Sequence, residues 1–464
     1  MSEDTNKFER WLREKSVQEV ELLVPDIGGI PRGKILPVKS FVKGLKGDSH
    51  RLAQAVFIQT ISGEYASDVE ELGYAPLPKS IFNPSEIDVT LAPDFKTLRM
   101  VPWYPDPTAQ VICDAKQIDG KVLEYSSRDV LRRILKLYDG LGIEPILAPE
   151  MEFYLIKQND DADYPLEVPT GLSGRREAGS QSYGIDAVNE FDTLFDSVYN
   201  YCEIQKIGAD TLNHEDGSAQ MEINLNHGKP SDLADQVFLF KRTLKQTAIR
   251  NQLHATFMAK PMEDQPGSSM HIHQSLYGKK NKNNLFSGKS KNGSFSDLMM
   301  NYIGGLQKYT PALMPIYAPS FNSYRRLIAT WGTPTNTHWG VGNRSCGFRI
   351  PNLEKQNMRI ENRIAGSDTN PYLIFAATLA AGYLGIKNKI SPTSETKESL
   401  YEKKSTTLPH TMEASIAKFE QHEEIINIFG DKLVKTVAAI RRVEYEAYLD
   451  VISSWEREHL LLNV

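Results

Sequence analysis

The chain reads as an α+β protein of two units, and three observations carry that reading. Its first stretch, to about Asp114, consists of short, strand-like pieces punctuated by proline. From "SSRDVLRRILKLYDGLG" onward, helical patterns alternate with strand patterns, and beyond about Thr411 long helical periodicities run to the end. The boundary falls near residue 115, giving units 1–114 and 115–464.

Each element has a local cause. "VQEVELLVPDIGGIPRGKILPV" predicts two short strands around a Gly/Pro turn. "SSRDVLRRILKLYDGLG" predicts a helix capped by Ser127 and stopped by Gly140 or Gly142. "LAPEMEFYLI", "HEDGSAQMEINLN" and "GSSMHIHQSL" alternate with period two, which predicts strands with two unlike faces. "YGKKNKNNLFSGKSKNGSFSD" is a Lys/Asn/Gly/Ser loop, and no internal repeat is visible.

Composition narrows the function classes. At 464 residues, with 40% hydrophobic and 24% charged, the chain has the make-up of a soluble globular protein with more than one core. Cys113, Cys202 and Cys346 are scattered and form no CxxC pair, so a reducing, cytoplasmic setting is expected. The polar start "MSEDTNKFERWL" and the lack of a long apolar run argue against export and membrane insertion. A net charge of −6 without a sustained basic block argues against a nucleic-acid surface, leaving small molecules as partners.

The alternating segments carry the chemistry. Glu150, Glu152 and Tyr154 share one strand face against Met151, Phe153 and Leu155. Glu215 sits on a turn, followed by Gln220, Glu222, Asn224 and Asn226 on one face. His271, His273 and Ser275 recur at every second position, as do Arg359, Glu361 and Arg363, and "NRSCGFRIP" adds Arg344 and Arg349. A solvated sheet face favours Lys, Thr, Ser and Gln, whereas these faces carry Glu, His and Arg and no lysine. If the faces converge, Glu150, Glu152, Glu215, Glu222 and Glu361 gather near His271, and such repulsion calls for cations between them. Oxygen-rich ligation with one imidazole suits Mg²⁺ or Mn²⁺, in more than one site. Arg326, Arg344, Arg349, Arg359 and Arg363 then need anions, and a guanidinium fork fits phosphate or carboxylate. Metal with arginines points to phosphoryl transfer. "SGKS" at 287–290 is no Walker A motif, because Asn283 stands where the first glycine is required, and no GxGxxG follows a strand.

Together "EMEFYL", "HED…AQMEINL", "HATFMAKP", "GSSMHIHQSL", "NSYRRL", "NRSCGFRIP", "RIENRIAGSDTNPYL" and "SSWERE" resemble the glutamine synthetase superfamily in order and spacing over nearly the whole chain. "PDIGGIPRGKILP", "HATFMAKP" and "SFNSYRRL" look most like its γ-glutamylpolyamine (γ-glutamylputrescine) synthetase branch. The resemblance implies a β-grasp-like N-terminal domain over 1–114 and a catalytic domain of curved antiparallel sheet with flanking helices over 115–464. It also implies a homo-oligomer, a dodecamer of two hexameric rings, with each active site completed by the neighbour's N-terminal domain. ATP and two or more Mg²⁺ or Mn²⁺ ions are the implied cofactors, glutamate and an amine the implied substrates. One metal site would be Glu152, Glu215 and Glu222, the other Glu150, His271 and Glu361, with His273 and Ser275 facing the nucleotide. Arg344, Arg349 and Arg359 match residues that grip ATP phosphates. Arg326 and Arg363 match those contacting glutamate and the transferred phosphoryl group, with Gly267 in the glutamate loop. Arg326, Arg344 and Arg363 are the implied catalytic arginines.

The departures from the pattern are equally specific. Ammonia-using members carry a glutamate six positions beyond the second arginine of "NSYRRL"; here that position is Gly332, beside Trp331. The "DGSS"-type motif that completes their ammonium site is absent from "AVFIQTISGEYA". Both losses favour an organic amine as acceptor, with Gly332 in the substrate site. Pro266, Ser269 and Ala219 are further changes that leave the acyl donor open. The acidic run Glu64, Asp68, Glu70 and Glu71 is either a solvated loop or a feature that holds the distal ammonium of a polyamine. Three readings stand at this point: a glutamate–amine ligase, an ammonia-dependent glutamine synthetase, and a non-catalytic structural or regulatory relative.

Overall fold

The structure is a computed structural model that describes residues 3–47, 49–85, 87–288, 295–328, 332–351, 354–401 and 407–464. Among them, fourteen strands form two sheets. The first sheet holds β1 (Glu19–Pro25), β2 (Pro31–Pro37), β3 (Arg51–Ala53), β4 (Asp88–Pro93), β5 (Arg99–Val101) and β6 (Thr108–Gln117), and β6 runs through the expected boundary near residue 115. They are ordered β2-β1-β6-β4-β3, with β5 also on β6. The Gly/Pro turn joins β1 and β2 as an antiparallel pair, as its residues predict, while β1 and β6 run parallel.

The second sheet contains β7 (Ile143–Lys157), β8 (Ala209–His214), β9 (Gln220–Leu225), β10 (Leu253–Thr256), β11 (Met270–Gly278), β12 (Trp339–Val341), β13 (Phe348–Ile350) and β14 (Ile360–Asn362). Its order is β12-β13-β14-β11-β7-β9-β8, with β10 on β7. Every pair is antiparallel except β12 with β13. The apolar faces of these strands, among them Met151, Phe153, Met221, Ile223, Met270 and Ile272, are buried against helices and form the core.

Helices close the back of this sheet. The helix Pro371–Asn388 is apolar on nearly all sides because it is buried on nearly all sides, with Asn370 capping it by accepting from the N–H groups of Tyr372 and Leu373. It meets the helix Asp297–Tyr309 backbone to backbone: a Cβ on Gly305 would stand 2.6 Å from the Gly385 Cα. The expected cap of the helix Ser127–Gly140 is displaced by one residue. Ser126 is the N-cap position, and the Ser127 hydroxyl instead donates to the Asp26 carbonyl at 3.1 Å. The helix does end at Gly140, and Gly142 follows at φ 69°.

Arg128 ties the first sheet to the helix Pro230–Arg250. Its guanidinium pairs with Asp94 just after β4, with Asp114 on β6 and with Asp235 on the helix Pro230–Arg250, at 3.1, 2.5 and 2.8 Å. Among the described residues, no helix is long and apolar enough to cross a membrane.

Candidate active site

Strand register builds the site. β9 sets Asn224 opposite Glu150, Glu222 opposite Glu152 and Gln220 opposite Tyr154 on β7. On the other side of β7, β11 sets His271 opposite Glu150. β14 then places Glu361 opposite His273, and β13 places Arg349 opposite Glu361. Glu215 comes from the turn after β8, where its N–H donates to the Gln220 carbonyl at 2.8 Å. One face of five adjacent strands therefore carries the acidic, imidazole and guanidinium groups together.

Ligand atoms of Glu152, Glu215 and Glu222 lie within 4.8 Å of one another; so do those of Glu150, Glu222 and His271, and those of Glu150, His273 and Glu361. The triplets overlap, so the six expected ligands and His273 make one continuous array. His271 Nδ1 is 3.3 Å from Glu150 Oε2 and 4.0 Å from Glu361 Oε1. His273, expected to face the nucleotide, also places Nε2 2.7 Å from Glu150 Oε1.

Electrostatics show what the array lacks. Burial, and then the charges of Glu150, Glu152, Glu215 and Glu361, push the Glu222 carboxyl up to about 10. Burial and Glu215 push Glu152 up to about 8. Burial would raise Glu361 too, but the Arg363 guanidinium holds it down at about 2, and hydrogen bonds from His271 and His273 hold Glu150 low against burial. Burial and Arg363 lower His271 to about 4, which leaves a neutral ligand. Oxygen donors forced to keep protons at neutral pH, arranged around a neutral imidazole, fit divalent cations, and by donor type Mg²⁺ or Mn²⁺.

Two cavities meet over this face. One, of about 440 Å³, is lined by Glu152, Glu215, Glu222, Gly267, His271, Gly332, Arg344, Arg349, Glu361 and Arg363 among others. The second, of about 310 Å³, is lined by His273, Ser275 and Arg359, with Asp210, Asn226 and Tyr277. Glu150 and Asn224 line both. Arg344 is exposed at the rim. Arg349 donates to Glu361 Oε2 at 2.7 Å, Arg363 donates to Glu361 Oε1, and Arg359 donates to His273 Nδ1 at 3.0 Å. The Nε atoms of Arg349 and Arg363 are buried without a partner.

Arg326 departs from its expected place. It does not line either cavity but lies one layer behind, 1% exposed, donating to the Ile364 carbonyl, Ser269 Oγ and the Arg363 carbonyl at 2.8, 2.6 and 3.1 Å. Gly267 makes this possible: a Cβ there would stand 2.6 Å from Arg326 Cγ and 2.7 Å from the Ala259 carbonyl oxygen. Tyr154 and Gln220, which share the acidic face, hold the same loop through the carbonyls of Pro266 and Gly267, at 2.7 and 3.0 Å.

Tyr183, Asp216 and Tyr401 also line the larger cavity and escaped the sequence reading. They sit outside regular alternation, and their approach depends on tertiary contacts such as the Tyr183 N–H donating to the His214 carbonyl at 3.0 Å. The local signals are a glycine-flanked aromatic in "SQSYG" for Tyr183 and, for Asp216, its place beside Glu215 in "HEDG". Glu64, Glu70 and Glu71 are exposed. Trp331, the side chain of Asp68 and residues 289–290 of the "SGKS" fragment lie outside the described residues.

The fold and the site define a ligase of the glutamine synthetase family, and the sequence comparisons agree. The family described as "Glutamine synthetase, catalytic domain" matches residues 124–460, and the chain belongs to it. It is 30% identical to the gamma-glutamylputrescine synthetase of Escherichia coli K12, over 99% of this chain and 95% of that protein. It is 28% identical to the glutamate–isopropylamine ligase of a Pseudomonas species, over 98% of each. It is also 31% identical to a glutamine synthetase of Pyrococcus horikoshii, over 95% of this chain and 92% of that one. Among solved structures, an ADP complex of GmaS superposes with a TM-score of 0.81 at 25% identity, covering 97% of this chain and 98% of that one. The resemblance to the γ-glutamylpolyamine branch is borne out by the first two relatives.

Proposed function

We propose that this protein is an ATP-dependent ligase that joins the γ-carboxylate of glutamate to an organic amine, a polyamine or other primary amine, through γ-glutamyl phosphate. One observation carries the choice of acceptor. Gly332, standing where ammonia-using relatives carry a glutamate, lines the larger cavity, and a Cβ there would meet nothing within 4 Å among the described residues. The acceptor end of the cavity thus has room and lacks the acid that would hold ammonium.

In this reading Glu152, Glu215 and Glu222 hold one divalent ion, and Glu150, His271 and Glu361 the other. Ions bound there supply positive charge against the transferring phosphoryl group. Arg344, Arg349 and Arg359 orient the phosphates, and Arg363, with an unpartnered Nε, faces the phosphoryl group in flight. The γ-carboxylate oxygen attacks the terminal phosphorus and ADP leaves; the amine nitrogen then attacks the acyl carbon, phosphate leaves, and the amine gives up a proton. Arg326 acts from behind by fixing the 267–269 loop. His273 and Ser275 line the nucleotide side. The same reading makes 1–114 and 115–464 the two domains and the assembly a dodecamer of two hexameric rings.

The 31% identity to a glutamine synthetase favours a second reading, an ammonia-dependent enzyme. ADP release by the purified protein with ATP, Mg²⁺ and glutamate, against ammonium, putrescine, spermidine, ethanolamine and simple alkylamines, decides between them. Turnover confined to ammonium overturns the amine assignment.

A further inference from the structure

Lys241 lines neither cavity, yet the structure connects it to both walls of the larger one. It lies partly buried on the helix Pro230–Arg250, and its Nζ donates to the carbonyls of Ser367 and Thr369 at 2.6 and 2.8 Å. Its ammonium also sits 5.3 Å from the centroid of the Phe257 ring. Burial, with Lys245 nearby, lowers it to about 7, so the fold keeps this ammonium at an electrostatic cost.

The clamped turn reaches the site at two points. The Ser367 hydroxyl donates to the Glu152 carbonyl at 2.5 Å, and the Ser367 N–H donates to the Ser268 carbonyl at 3.0 Å. Gly366 bridges Ser269, whose own N–H donates to Glu152 Oε2 at 2.7 Å. Ser269 Oγ in turn accepts from Arg326 at 2.6 Å. Glu152 is therefore held from its backbone side by the 366–369 turn and from its carboxylate side by the 267–269 loop, and the two segments are bonded to each other.

We propose that Lys241 is a positioning residue for the metal and acyl-substrate side of the site, fixing Glu152 and the 267–269 loop together by pinning the 366–369 turn. The proposal rests on the ligase reading above for the substrate and on the carboxylate array for the metal. Two carbonyls from residues two apart on one turn suit an ammonium with three rotatable donors on a flexible stem; a methionine of similar shape keeps the packing and loses the donors.

The test uses full-length protein, with Mn²⁺ binding read by electron paramagnetic resonance and KM measured separately for glutamate and ATP. Outer-shell changes of this kind cost on the order of tenfold to a hundredfold in metal affinity or activity. Lys241→Met is expected to weaken Mn²⁺ binding by about tenfold and raise the glutamate KM by a similar factor, with the ATP KM near that of the wild type. Lys245→Met, one turn along the same helix and also beside Phe257, is expected to change neither. A merely structural role would lower the melting temperature and the active fraction while leaving Mn²⁺ affinity and glutamate KM alone, and that result overturns the proposal. If Lys241→Met does not fold, Ser367→Ala, which removes only the bond to the Glu152 carbonyl, must move both readouts in the same direction; unchanged values there overturn it equally. Wild-type protein that binds Mn²⁺ but turns over no glutamate would remove the ligase reading and leave the Mn²⁺ arm to judge Lys241.

Discussion

Glu152 and Glu222 stand directly opposite each other in the β7–β9 ladder, 5% and 7% exposed. Like charges in a cross-strand pair destabilise a sheet, and burial deepens the penalty because neither carboxylate is well solvated. The pair persists only if protons or cations occupy the space between the carboxylates. The fold thus stores a demand for positive charge at the centre of its largest sheet.

That demand has a pH signature. Glu222 and Glu152, raised to about 10 and about 8, bind protons in the folded chain that the unfolded chain has already released. Metal-free protein must therefore lose the stability contributed by these groups as pH climbs from the ordinary carboxylate range through those values. Lys241, lowered to about 7, acts with the opposite sign over part of the same window, so the comparison is made against Glu222→Gln. Between pH 7 and pH 10 the metal-free wild type should lose melting temperature relative to Glu222→Gln, and Mg²⁺ or Mn²⁺ should rescue only the wild type. Parallel melting curves for the two proteins across that range would contradict the assignment of Glu222 as a ligand.

Arg344→Lys tests the phosphate grip. Arg344 is exposed at the cavity rim, so the change leaves folding intact and retains the charge. A point ammonium cannot reproduce two parallel hydrogen bonds to a phosphate, and the loss of one oriented donor to a transition state is worth about 10²-fold in kcat. Unchanged single-turnover ADP formation would remove Arg344 from the machinery.

Arg128 tests the link between the first sheet and the helix Pro230–Arg250. It is 5% exposed and pairs with Asp94 and Asp114 from the first sheet region and Asp235 from the helix Pro230–Arg250. Arg128→Met leaves Asp235 with the Tyr372 hydroxyl and Asp94 and Asp114 with Arg132, and removing one partner of a buried pair costs up to about 3–5 kcal/mol. Denaturant unfolding should show that loss as a lower midpoint, and an unchanged midpoint would remove Arg128 from the stabilising contacts of the fold.

The residues that sequence made legible are those whose position follows from a short repeat. Alternation placed Glu150 with Glu152, His271 with His273, and Arg359 with Glu361 and Arg363, and the sheet then brought these faces side by side. The depth of a residue was not legible in the same way. Arg326 sits in the motif "NSYRRL" yet points beneath the cavity wall, because a helix face has a direction that spacing alone does not give. Tyr183, Asp216 and Tyr401 come from irregular segments with no period to read. Ser127 lost its expected capping role to a tertiary hydrogen bond with Asp26, a contact across a hundred residues that no local rule anticipates.

Gly332 offers the sharpest test of acceptor choice. Its φ of 76° is in the left-handed region, so any other residue there carries strain of about 1 kcal/mol or more, but a Cβ would meet nothing within 4 Å among the described residues. Gly332→Glu therefore introduces an acid whose Cβ meets no described residue within 4 Å, and Gly332→Ala carries the same strain without the charge. With glutamate and ATP, the unmodified protein should use ammonium poorly and a primary organic amine well, with activity rising toward alkaline pH because the amine must enter neutral or find another base. Gly332→Glu should raise kcat/KM for ammonium relative to the organic amine by about tenfold, the scale of one general base that still lacks its neighbouring aspartate, while Gly332→Ala should not. Efficient glutamine formation by the unmodified protein at neutral pH, with no activity on putrescine, spermidine, ethanolamine or alkylamines, would establish an ordinary glutamine synthetase instead. Silence toward every acceptor despite clear ATP and Mn²⁺ binding would favour a relative that has kept the fold and lost the chemistry.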